Sequence, residues 1–347
     1  MRRIVLVGLA LFLLAACSSA LVDHDGRQDE TAKQNLCFGG KPEVFWDGAN
    51  STVMTNPSGR RFMAVEGRVM WQWGRDIQQV DLRTGRWGFV DSNAILKAAD
   101  RWETFVWSWG HDPTSGGSQL VAIGLKDQGK PERILVEEQE SHGSPRASRI
   151  VLDGDFIYFI GSSFARTPDL RDGLFRVPRY GTGLPERLAA LPSGDETPFV
   201  IDRNYVYWSQ VGALWRRQIN PIATMQQLTV TKGSRLPIVV GDGRLYYLDG
   251  KSLFSVQVDG SAPPTEHLKG LDVDRDSTML VDRDCLYWNT KSTIMRAKLD
   301  GPTNPDVIAD KATYDGSPMD SDGKHLYWID EARSRVMRVG RSAFHLR

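Results

Sequence analysis

A short pattern recurs along this chain at a spacing near forty residues, and it restricts the possible folds more than any other feature. The clearest copy is Val281 to Gly301, VDRDCLYWNTKSTIMRAKLDG. Cys285 to Asn289 is an apolar, aromatic run with strand preference, Ile294 to Leu299 is a second such run, and Asp300-Gly301 is a strong hairpin signal. Tyr158, Tyr207, Tyr246, Tyr287 and Tyr327 mark five copies, spaced 49, 39, 41 and 40 residues apart. Asp153, Asp202, Asp282 and Asp322 each stand five before the Tyr, with Gly241 in that place in the third copy. Arg176, Arg216, Arg296 and Arg338 stand two past the start of the following run, where Ser255 is the exception. Two weaker copies, around Trp71 and Trp107, precede these and bring the count to seven.

A strand-only repeat of this length predicts an all-β fold, a β-propeller of four-stranded blades. Seven blades are expected, with six or eight as alternatives. Each blade is covered on both faces by its neighbours, which explains why Cys285-Leu286-Tyr287-Trp288 is apolar without alternation. Trp208, Trp288 and Trp328 are expected to fill the gaps between blades. A propeller must also close its ring. Pro42 to Met54 has strand character but lies too near the first copy to be a blade, so it reads as an N-terminal strand completing the last blade.

The first residues have a different character. Arg2-Arg3 precede the apolar run Ile4 to Leu14, which is too short to span a bilayer as a helix and reads as a secretory signal. Leu14-Ala15-Ala16-Cys17 resembles the bacterial lipobox, which implies cleavage before Cys17 and lipid attached to it. The domain reading is a signal peptide over 1–16, a flexible tether over 17–36 and a single propeller over 37–347. Several acyl chains make a stable anchor. By resemblance to enteric sorting rules, Ser18 after the Cys favours the outer membrane. Cys37 and Cys285 then remain. A Cys in mid-strand within an apolar run is ordinarily a buried free thiol, and a Cys37–Cys285 bond is the alternative in an oxidising compartment.

The copies LYWNTKSTIMRAKLDG and LYWIDEARSRVMRVG resemble the YWTD repeat of low-density-lipoprotein-receptor-like propellers. The Tyr-Trp, the Ile-x-Arg and the Asp-Gly are matched, but the Thr-Asp half is not. The resemblance covers about residues 150–347 and implies the blade type. That family has six blades where seven copies are counted here. The chain is also similar to repeat propellers of bacterial envelope lipoproteins. Val80 to Trp87 resembles the Asp-x-x-Thr-Gly docking motif of quinoprotein-like repeats, and a Thr-Gly hairpin turn explains the same residues.

A position present in every blade serves the scaffold, because one site needs one copy. This assigns the repeated Asp and Arg to structure and directs the search to loops that do not repeat. Ser108 to Ser118 and Gly161 to Gly173 exceed the repeat, and strand order puts both turns on one rim over blades 2 and 3. Trp73, Trp109, His111, Arg166 and Arg171 are the candidate binding residues there, since Trp and Arg are enriched at binding surfaces. The sequence has no Gly-x-Ser-x-Gly elbow and no His-x-x-x-His pair. Asp272 to Asp276 starts like a calcium loop, but Ser277 and Arg283 stand where Gly and Glu are needed. No catalytic residue, cofactor or metal is expected. Charge is balanced, with 43 basic and 43 acidic side chains, so nothing draws nucleic acid. The reading is a non-enzymatic, lipid-anchored envelope module that binds an envelope protein or a cell-wall glycan and meets the membrane through its lipid. The alternatives are a lyase, lactonase or hydrolase with its site in the central funnel, and a structural subunit of an outer-membrane assembly.

Overall fold

The computed structural model describes residues 37–39, 41–47, 62–65, 67–73, 76–92, 94–99, 103–109, 118–124, 133–137, 150–161, 173–180, 185–191, 197–210, 212–233, 236–271, 273, 277–290, 292–299, 305–310, 319–330 and 335–342. Their regular elements are all strands. Seven antiparallel sheets follow in chain order, giving the seven-bladed propeller that the repeat predicts. Blades 1 to 6 cover residues 62–92, 94–137, 150–190, 199–230, 238–268 and 279–309, each with four strands paired in sequence order. Blade 7, residues 319–342, supplies only three strands of its own.

The N-terminal residues complete blade 7. Glu43–Asp47 pairs antiparallel with Arg335–Ser342, matching Glu43 to Arg338 and Val44 to Met337. A second short strand, Cys37–Phe38, continues along the same edge opposite Ser342 and Arg341. The expected clasp is therefore present, with Glu43–Asp47 inside the predicted stretch and Cys37–Phe38 ahead of it. Cys37 also forms a disulfide with Cys285, their Cα atoms 5.8 Å apart. The free-thiol expectation for Cys285 is thus replaced by the bonded alternative. The cause is geometric: the edge of blade 7 brings Cys37 against the second strand of blade 6.

Register explains the repeat. The second-strand Tyr stands opposite the third-strand Arg in four blades: Tyr158 with Arg176, Tyr207 with Arg216, Tyr287 with Arg296, and Tyr327 with Arg338. That row faces the next blade, where Tyr207 packs with Ile238 and Tyr247 of blade 5 and with Leu236 just before it. The residue after the Tyr faces the preceding blade. Trp71 accordingly packs with Tyr327 and Ile329 of blade 7. Trp208, Trp288 and Trp328 are fully buried between blades as expected. Apolar burial on both faces of each sheet is the main stabilising term.

The innermost strands pack in a ring. A Cβ added at Gly241 would lie 2.5 Å from Val281 Cγ1, so the inner strands of blades 5 and 6 approach too closely for a side chain there. The ring closes between blades 7 and 1, where the Ala64 amide donates to Asp320 at 3.0 Å.

Candidate functional site

The repeated polar groups form the scaffold that the sequence assigns to them. Arg176 donates from Nε to Glu186 on the fourth strand at 2.8 Å. From Nη1 it also reaches into blade 4, to the Ile219 carbonyl at 2.8 Å and Asn220 at 2.9 Å. Arg216 spans its fourth strand and blade 5 in the same way, through Gln226 and the Val258 carbonyl. Arg296 bridges Asp306 and the Phe38 carbonyl of the clasp, at 3.2 and 2.8 Å. Guanidinium suits this because its planar fork serves two acceptors at once. Burial pushes the Tyr207 hydroxyl up to about 12 and the Tyr287 hydroxyl higher still, so both phenols stay neutral. The first-turn aspartates are likewise engaged. Asp322 accepts the Lys324 and His325 amides at 2.8 and 2.7 Å and the Tyr327 hydroxyl at 3.1 Å, while Asp282 pairs with Arg341 of blade 7 at 2.7 Å.

Blade 5 replaces the repeated arginine with Ser255, and a different polar set fills the gap. Ser255 Oγ lies 2.7 Å from His267 Nε2 and accepts from Arg244 Nε at 2.8 Å. Burial, and then Arg244, hold His267 below its ordinary value, so the ring is neutral near pH 7. The Ser–His contact resembles a nucleophile and base, but Ser255 is fully buried and stands in the scaffold row. It replaces the arginine in cross-strand bonding and has no access to a substrate.

Of the predicted rim residues, the structure places two backbones. Trp73 ends the second strand of blade 1 opposite Asp76, and Trp109 ends the second strand of blade 2 opposite Ser118. Both therefore stand at the turn into the third strand on one rim of adjacent blades. His111, Arg166 and Arg171 lie outside the described residues, as do Cys17 and the rest of residues 1–36. The Asp-x-x-Thr-Gly stretch is a hairpin turn. Asp81 Oδ1 accepts from the Thr84 amide at 2.7 Å, the Thr84 hydroxyl at 2.8 Å and the Arg83 amide at 3.0 Å. These bonds, those of Thr84 foremost, hold the Asp81 carboxyl below its usual value.

The innermost strands are apolar at the position opposite the repeated Tyr, where Val151, Val200, Val239 and Leu280 stand half-buried between blades. Asp153 and Asp202 end neighbouring inner strands, and burial followed by the Asp202 charge raises the Asp153 carboxyl. Asp320 is the residue that sequence reasoning missed. It lies deep in the molecule, only partly open, where the other strands carry the apolar residues just named. Burial pushes its carboxyl up to about 6, against the opposing bonds from the Ala64 and Ser321 amides. Among the described residues, no group of three or more His, Cys, Asp or Glu is placed to hold a metal ion.

No protein-family profile and no curated protein sequence matches the chain. Solved structures do resemble it. The N-terminal domain of Nup159 aligns with a TM-score of 0.54 at 9% identity, over 88% of this chain and 95% of that one. An oligogalacturonate lyase from Vibrio parahaemolyticus aligns with a TM-score of 0.53 at 10% identity, over 88% and 98%. At such identities the likeness shows the propeller fold alone.

Proposed function

We propose that this chain is a lipid-anchored envelope protein whose propeller binds an envelope protein or a cell-wall glycan without catalysing a reaction. One observation carries the reading: the repeated Tyr, Arg and Asp side chains are engaged in joining strands and blades. Groups free to meet a partner are then those outside the repeat. Trp73 and Trp109 end equivalent strands on adjacent blades, which supports a surface shared with His111, Arg166 and Arg171. The Cys37–Cys285 disulfide supports an oxidising compartment, in keeping with export and with lipid on Cys17.

Capture experiments with the mature protein test this. Trp109→Ala and Arg171→Ala are expected to weaken capture of the envelope partner about 30-fold, taking about 1.4 kcal/mol per tenfold. Thermal stability should hold within about 0.5 kcal/mol, as for ordinary surface changes. Trp288→Ala, which deletes a fully buried ring, is the control and should cost about 3–5 kcal/mol. Full capture by both rim variants would sink the rim. Cys17→Ser should leave unprocessed precursor, and a cleaved, detergent-partitioning product would refute the anchor.

A second reading has one observation in its favour. Asp320, at about 6 on the innermost strand of blade 7, is the kind of group a funnel enzyme uses as a general acid. Turnover of lactone, uronide or ester substrates that Asp320→Asn abolishes would favour it.

A further inference from the structure

Blade 5 carries a guanidinium whose counter-charge is missing. In blades 3, 6 and 7 the fourth-strand residue opposite the repeated arginine is an acid: Glu186 against Arg176, Asp306 against Arg296 and Glu43 against Arg338. Each carboxylate pairs with its arginine, at 2.8, 3.2 and 2.5 Å. In blade 4 the position is Gln226, and Arg216 interacts electrostatically with Asp259. Blade 5 exchanges both partners. Ser255 stands in the arginine position, and Thr265 stands opposite it where the acid belongs.

The positive charge has not gone with them. Arg244, which opens the second strand of blade 5, brings a guanidinium to the same place. Its Nε donates to Ser255 Oγ at 2.8 Å and its Nη2 to Thr265 Oγ1 at 3.3 Å. With the Gln257 amide turned to donate to the Gly243 carbonyl, the Gln257 oxygen accepts from Nη1 at 2.7 Å. All three acceptors are neutral, and among the described residues no carboxylate pairs with Arg244. A guanidinium has five N–H groups, so one remains on each terminal nitrogen. Arg244 is half-buried and Thr265 is exposed, so a ligand can reach the cluster from solvent.

His267 stands beside this charge. Ser255 Oγ is fully buried and accepts from Arg244. Among the described residues His267 Nε2, 2.7 Å away, is the one acceptor for the hydroxyl proton, so the ring carries its own proton on Nδ1. The ring is half-buried against Tyr246, with centroids 6.1 Å apart. Arg244 is the charge that acts on it, while the adjacent Glu266 pairs with Lys269 at 3.1 Å. Across the seam blade 6 presents the apolar Leu286, Trp288 and Ala297.

We infer that this cluster on the outer strands of blade 5 binds a carboxylate monoanion, which takes the place that Glu186, Asp306 and Glu43 hold in their own blades. The two remaining guanidinium N–H groups serve its oxygens, a pairing for which guanidinium is well shaped. One guanidinium and a neutral imidazole carry a single positive charge, which matches a carboxylate better than a phosphate dianion. The site is separate from the rim of the proposed function and stands or falls without it.

The test follows the imidazole resonances of the histidine-labelled mature protein during titration with acetate. Acetate should shift the His267 signal, assigned by its loss in His267→Gln, and saturate at millimolar concentration. It should also raise the pH at which that ring titrates, because a carboxylate nearby favours the imidazolium. Arg244→Gln should weaken binding by about tenfold or more, since a charge-assisted bond is lost. Thr265→Glu restores the acid of blades 3 and 7, and should abolish the acetate response and raise the melting temperature. A peptide with a free C-terminus that binds more tightly than acetate, and loses binding when amidated, assigns the site to a chain end. Equal affinity for acetate and the peptide assigns it to small organic acids. Three results would overturn the inference. If phosphate or chloride shifts the ring as much as acetate does, the cluster is only a patch of positive potential. If acetate leaves the ring unmoved, the three neutral acceptors and water satisfy Arg244. If Arg244→Gln or Thr265→Glu leaves the acetate response intact, the anion binds elsewhere.

Discussion

Asp320 stands opposite Tyr327 as Val151, Val200, Val239 and Leu280 stand opposite theirs. Its carboxyl is raised from 3.8 to about 6, chiefly by burial. Between those values the folded protein holds a proton that the unfolded chain has released. Stability therefore falls as pH rises through that window and levels off above it. Asp320→Asn is expected to flatten that decline, by at most about 3 kcal/mol at two pH units. Urea midpoints at about pH 4 and about pH 7 measure it, and an identical decline in both proteins would mean the group titrates normally. The sequence carried the signal for Asp320, because Met319-Asp320-Ser321 breaks the apolar pattern of the inner strands. The same comparison flags Gln78, which stands opposite Trp71 where Leu120 and Phe175 hold the place in blades 2 and 3. What one-dimensional reading lacks is depth: that the Asp320 carboxyl accepts from Ala64 across the seam between blades 7 and 1, and that no partner meets the Gln78 amide.

The clasp shows a different limit at the scale of an element. Five residues of strand, Glu43–Asp47, are legible from composition and from the ring's need for closure. Two residues, Cys37–Phe38, carry no strand signal, and their pairing depends on contacts remote in sequence. Phe38 donates its amide to the Tyr287 hydroxyl at 2.6 Å, accepts from Arg296 at 2.8 Å and lies under the Arg341 guanidinium at 4.3 Å. Together with the disulfide, these bonds fasten the clasp to blade 6 as well as to blade 7. The cysteines are 248 residues apart, so in the chain-entropy picture their bond stabilises by on the order of 5 kcal/mol. Replacing both by Ser is expected to lower the guanidinium midpoint clearly without changing the blade signature in circular dichroism. An unmoved midpoint would show that Arg296 and Tyr287 hold the strand unaided.

For the whole molecule, blade number and order were legible because each blade repeats one bonding scheme, and a fault in any single copy is averaged over seven. The rim was legible only as chain topology, since turns of unequal length share no pattern. Ring closure is the property that belongs to no single blade. A chain lacking residues 37–47 keeps six complete sheets and leaves Arg335–Ser342 as an unpaired edge. Such an edge pairs with another copy, so self-association on size exclusion is expected, and a monodisperse monomer would refute the clasp's role. The clasp also has a consequence in time. Its strands leave the ribosome before any blade, while their partner, Arg335–Ser342, follows the other six blades. Six blades can assemble as they emerge, but Cys37 must wait for Cys285, and the clasp for Arg335–Ser342. A prematurely terminated chain is thereby marked by an unclosed ring, however well its early blades have folded.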